Sequence, residues 1–149
     1  MIATLPAIAA GVSAGAIMLL FSHVAPYIGA GNFIRDLDEP RLFGREITHR
    51  EGHIVGMLVH LLVSAVWGGG YAVLVAYGVV EGYTLIPIFA WGVVLFVVMG
   101  GIVLPIEGHG LFGLKEDNWF PIDIGITTVC WSVLFWWLMH IWIGLGALS

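Results

Sequence analysis

HIVGMLVHLLVSAVWGGGYAVLVAYGVV, residues 53–80, carries no Asp, Glu, Lys or Arg along its whole length. Crossing the hydrocarbon core of a bilayer takes about 20 largely apolar residues in a helix, and this stretch exceeds that. It shows no alternation at period two, which a barrel strand would need. The expected element is therefore a helix whose solvent is lipid.

Working outward, three further segments have the same character, at roughly residues 5–28, 85–106 and 122–143. Lipid offers no water to bond backbone groups, so each segment is expected to be helical. Composition agrees. Hydrophobic residues make up 60% of the 149-residue chain and charged residues 10%, against about a quarter charged in soluble domains. The expected fold is all-α, an integral-membrane antiparallel bundle of four transmembrane helices forming one domain over 1–149. The opening MIATLPAIAAGVSAGAIMLLFSHVA lacks the basic residues that begin a secretory signal, and is expected to be a retained first span.

The connections differ in length. EGYT, residues 81–84, is expected to close a tight hairpin between the second and third spans. The first loop, 29–52, mixes charges with Phe33, Ile34, Leu37, Leu42 and Phe43, a pattern suited to lying along the membrane interface. The third, 107–121, is glycine-rich, with Trp119 at headgroup depth. Arg35, Arg41, Arg45, Arg50 and Lys115 all fall in these two loops. The positive-inside rule then places loops one and three in the cytoplasm, with both termini and the EGYT turn outside.

Small residues mark expected helix contacts: the pairs Gly11/Gly15 and Gly52/Gly56, the run Gly68–Gly70, and Gly100–Gly101. Close backbone approach drives association in lipid, and glycine permits it.

Candidate chemistry centres on EITHREGHIVGMLVH, residues 46–60. Thr48-His49-Arg50-Glu51 matches a capping box and places the helix start near His49. His49, His53 and His60 then lie on one stripe, and His49 and His53 are one turn apart, close enough to share a metal ion. His60 is about 10 Å deeper along the axis. His23, Glu107, His109 and Asp123 belong to the same membrane face, whereas His140 stands near the other. Ionisable groups in a span are costly and suggest function.

Three readings follow. In the first, His49, His53, His109 and a carboxylate, Glu107 or Asp123, hold Zn, Cu or Fe. In the second, His23 and His60 ligate haem. In the third, these groups solvate helix ends and hydrogen-bond across the bundle. Glu46-x-x-His49 spells half of a di-iron signature, but the second copy and the further glutamates are missing.

A single cysteine, Cys130, excludes an intramolecular disulfide and is expected to be packed and inert. No phosphate loop, nucleophile elbow, HExxH or basic nucleic-acid patch occurs. Trp131, Trp136, Trp137 and Trp142 exceed what one aromatic belt needs, leaving aromatic surface for lipid or a partner subunit.

AAGVSAGAIML in the first span, GMLVHLLVSAVWGGGYA in the second and PIEGHGLFG after the third resemble the pattern of small uncharacterised four-span bacterial membrane proteins. That resemblance implies a helical bundle in a bacterial inner membrane and supplies no activity. The long charged first loop and the number of histidines depart from the pattern. The sequence therefore points to a protein without its own catalytic apparatus, a structural or accessory subunit of a homo- or hetero-oligomeric membrane assembly. The alternative is a metal- or haem-binding redox or metal-handling protein.

Overall fold

A computed structural model describes residues 4–24, 49–115 and 117–146, with only the backbone described at 49–53, 107 and 143–146. Every regular element among them is helical: α1 Thr4–Val24, α2 His49–Ala76, α3 Leu85–Val98, α4 Leu104–Glu107 and α5 Phe120–Gly146. A π turn, Met99–Val103, joins α3 to α4 without a break, and a 3₁₀ turn covers Leu111–Gly113. Four helices are long and apolar enough to cross a membrane, at Thr4–Val24, Ile54–Ala76, Leu85–Ile106 and Phe120–Trp142.

The ends have identifiable causes. The second span was expected to run to 80, yet α2 ends at Ala76. Gly78 adopts a left-handed backbone (φ 69°). The Gly78 N–H donates to the Val75 carbonyl and the Val79 N–H to Leu74, the paired bonds of a Schellman ending. The EGYT hairpin thus becomes an eight-residue turn, 77–84. The same motif closes α4, where Gly108 (φ 94°) donates to Pro105 and the His109 N–H to Leu104.

The fourth span begins earlier than residue 122. The Asp117 carboxylate accepts from the Trp119 N–H at 3.0 Å, and the Asp117 carbonyl accepts from the Phe120 N–H. Pro121 then occupies the first turn, where its missing N–H costs nothing. Residues 25–28 of the expected first span, and Thr48 of the expected capping box, lie outside the described residues.

The π turn replaces what was expected to be plain helix. Proline at 105 has no N–H and would press on the carbonyl four residues back, at Gly101. The Leu104 N–H reaches five residues back, to the Met99 carbonyl. The widened turn absorbs the proline while the helix continues.

α1 packs against α2 and α5, and α3 packs against α5. Contact between α2 and α3 is slight by comparison. A buried core of Ala7, Ala10 and Ala14 from α1, Tyr71 and Ala72 from α2, Ile88 and Leu95 from α3 and Trp131, Phe135 and Met139 from α5 fills the centre.

Glycines set the spacing at the α1–α2 seam. A Cβ at Gly11 would strike the Ser64 carbonyl, and one at Gly68 would strike that of Ala7. A Cβ at Gly15 would strike the Ser64 side chain. The Gly11/Gly15 pair is thus a contact surface, as expected. Gly56 is not: a side chain there would meet nothing within 4 Å. Gly68, Gly69 and Gly70 face Ala7, Ile8 and Trp91 respectively, so the glycine run serves α1 and α3 together.

Candidate functional site

The sequence-derived candidates do not gather into one described site. His49, His53 and Glu107 have helical backbone, and their side chains lie outside the described residues. Among those described, no three His, Cys, Asp or Glu side chains converge where they could hold a metal ion. His23, in the last turn of α1, sets Nδ1 2.9 Å from the Leu19 carbonyl. His109 sits in the loop after α4, its carbonyl accepting from the Lys115 N–H. Asp123 occupies the first turn of α5, where a carboxylate suits the helix dipole. His140 sets Nδ1 2.8 Å from the Trp136 carbonyl and its ring 4.8 Å from that of Trp136.

His60 is the candidate held farthest inside the helices. Its ring lies beside Gly15, where a Cβ would come 3.5 Å from Cδ2. Nε2 is buried and makes no hydrogen bond of good geometry. The Gly15 carbonyl is the polar group that its ring approaches. The proposed haem pair does not meet: Gly15, not His23, is opposite His60. His23 follows eight residues later on α1, about 12 Å along the axis.

Four hydroxyls on α1 and α5 are satisfied inside their own helices. Thr127 donates to Asp123, Thr128 to Ile124 and Ser132 to Thr128, each at 2.8 Å and each four residues back. Ser22 donates to Leu19 at 2.7 Å. Such back-bonding removes a polar group from the helix surface without a partner helix.

Two features escaped sequence reasoning. Trp67 and Trp91 stack with ring centroids 4.5 Å apart and planes 18° apart. Trp67 Nε1 donates to the Trp91 carbonyl at 3.3 Å, and Trp91 Nε1 to the Trp67 carbonyl at 3.1 Å. This reciprocal clasp joins α2 to α3 near their turn. Close by, the Tyr71 hydroxyl donates to the Gly82 carbonyl at 2.9 Å, and its ring lies 5.5 Å from that of Tyr83. Burial pushes the Tyr83 phenol above its ordinary pKa.

The second is a groove of about 180 Å³ between residues 89–96 of α3 and 125–132 of α5. Its walls are almost wholly apolar, because the Thr128 and Ser132 hydroxyls are engaged by backbone. Trp67, Trp119 and the tryptophans of α5 drew notice in the sequence, but Trp91 did not; the pairing of Trp67 with Trp91 across 24 positions leaves no local signature.

Compared with protein-family models, curated proteins and solved structures, the chain matches none. What is established is its class, an all-helical chain with four helices of membrane-spanning length and apolarity.

Proposed function

We propose that this chain is an integral membrane protein whose four long helices cross the bilayer as an antiparallel bundle, and that it is a non-catalytic structural or accessory subunit of a larger membrane assembly. The observation carrying the reading is the outward face of the helices. Leu5, Leu20, Phe21, Leu58, Leu62, Val66, Ile86 and Ile106 are all exposed. Between 17% and 33% of each spanning window is buried. Lipid and neighbouring subunits are the surroundings that cover such a surface. Antiparallel order is supported by the contacts Ala7 with Gly68, Gly11 with Ser64 and Gly15 with His60, which run in opposite directions along α1 and α2.

The test is purification in mild detergent after cross-linking in native membranes. Co-migration with a defined partner or a discrete oligomer supports the subunit reading, and an isolated monomer in both conditions removes it. Recovery in the carbonate-soluble fraction would remove the membrane reading itself. Orientation is tested separately by replacing Lys115 with cysteine in a Cys130→Ser background. Loops one and three in the cytoplasm of a bacterial inner membrane predict no labelling by an impermeant maleimide from outside.

The second reading, a metal- or haem-binding redox or metal-handling protein, is favoured by the buried, unbonded Nε2 of His60. The metal form draws instead on His49, His53, His109 and Glu107 or Asp123, and the haem form on His60. Metal analysis and an absorption spectrum of the purified protein decide it. Stoichiometric Zn, Cu or Fe lost in His53→Ala, or a Soret band lost in His60→Ala, would support this reading, and their absence would end it.

A further inference from the structure

Phe112 is the sole described residue other than glycine with positive φ (φ 51°, ψ 24°). Left-handed backbone is disfavoured for any side chain bearing a Cβ. Glycines, which accept positive φ without penalty, stand close on either side, at 110 (φ 78°) and 113 (φ 73°). Something beyond the loop's own preference therefore holds Phe112.

The ring supplies it. Gly100 is buried in the π turn, and a Cβ built there would collide with three carbons of the Phe112 ring. The ring also lies against Phe96, with centroids 5.1 Å apart. The notch exists because Pro105 forces the wide turn and because residue 100 has no side chain. Ring burial favours the seat and the left-handed backbone opposes it, so the two terms act in opposite directions on a single residue.

We infer that Phe112 is a latch: residues 108–115 exchange between a seat with the ring in the Gly100 notch and a released form in which residue 112 returns to right-handed backbone. Lys115 reports the state. Its side chain lies over Gly110, and Nζ donates to the Gly108 carbonyl at 3.5 Å. Trypsin must draw the Lys115 side chain into its own pocket, so the packing over Gly110 has to release before cleavage after Lys115.

The experiment is limited trypsin digestion of the full chain in detergent, reading cleavage after Lys115 by mass spectrometry. Cleavage of a transiently opened segment follows the population of the open form, so Gly100→Ala, which fills the notch, should speed it by about tenfold. Gly101→Ala adds the same methyl to the same turn but meets nothing within 4 Å, and should cleave at the wild-type rate. Phe112→Ala removes the ring without crowding α3 and should also cleave faster. Circular dichroism checks that each variant keeps its helices. If Gly100→Ala loses them, Phe112→Ala decides alone. Equal rates for Gly100→Ala and Gly101→Ala, or a wild-type rate for Phe112→Ala, would overturn the latch.

Discussion

The α1–α2 seam and the α3–α5 seam both run through glycine, and they use it differently. Gly11 and Gly68 bring two backbones together, each where a Cβ would strike a carbonyl of the facing helix. Gly92 instead faces the Ser132 side chain, and a Cβ at Gly125 would be 3.8 Å from the Phe96 ring, in ordinary contact. A groove of about 180 Å³ remains beside them. In the first seam glycine lets backbone meet backbone; in the second it meets a side chain or leaves space. Lipid tails are as apolar as leucine, so helix association there comes from close fit and hydrogen bonding. The first seam should therefore hold the molecule together, while the second tolerates change.

The largest effect is expected at Gly11→Ala. The added methyl meets backbone that cannot rotate away, and overpacking of this kind costs about 1–3 kcal/mol. Equilibrium unfolding in mixed detergent measures it. Gly68→Ala should match it, and the double variant should fall short of the sum because the two sites share one contact. An unfolding midpoint for Gly11→Ala equal to wild type would erase the distinction between the seams.

The clasp comes next. It joins α2 to α3, which otherwise touch little, and adds to the packing of α1 on α5 that also links the two pairs. Trp91→Phe keeps a ring but loses one donor, worth about 1 kcal/mol. If the clasp is what makes the two pairs unfold together, the transition should also broaden or split.

Gly92→Ala is expected to cost less than Gly11→Ala, because the methyl meets a hydroxyl that can turn. The turn sacrifices the Ser132 bond to the Thr128 carbonyl. Adding Ser132→Ala should restore stability, a rescue with no counterpart at Gly11. Gly125→Ala should be neutral or stabilising by up to about 1 kcal/mol, since alanine favours helix and the neighbour is at contact distance. A marked loss there would mean the groove is filled more tightly than its shape suggests.

The smallest effect concerns pH at the turn end. The neutral Tyr83 phenol is favoured by burial, so its folded pKa is raised. Its contribution is fully present below the unfolded value, about 10, and is lost as pH rises through the folded value. A shallow decline in stability above about pH 10, smaller in Tyr83→Phe, is the expected result.

Much of this architecture was legible in the sequence because apolar length is a strong signal. The four spans needed only a count of uncharged residues, and Gly11/Gly15 followed from spacing. Boundaries were harder. Val79 and Val80 look like more helix, but Gly78 had already supplied the left-handed residue that ends it. Gly52/Gly56 has the same spacing as Gly11/Gly15, yet Gly56 faces open space, since spacing says that a face is flat and not that another helix lies on it. Cys130, expected to be packed, is exposed, because the apolar run around it faces outward as well as inward. The π turn had a visible cause in Pro105, but its consequence, a notch for a ring twelve positions from Gly100, required the loop to fold back. For the candidate site, residue types named the histidines, while pairing depended on depth. His60 meets Gly15 because α1 and α2 are in a register that no local pattern encodes.

The clasped indoles have one more consequence. Two near-parallel rings 4.5 Å apart do not absorb as independent chromophores, and their transitions should couple and leave a signed pair of bands in the ultraviolet circular dichroism. That couplet would make the α2–α3 junction observable in intact membranes without any label, and Trp91→Phe would erase it while leaving five tryptophans other than Trp67 as background.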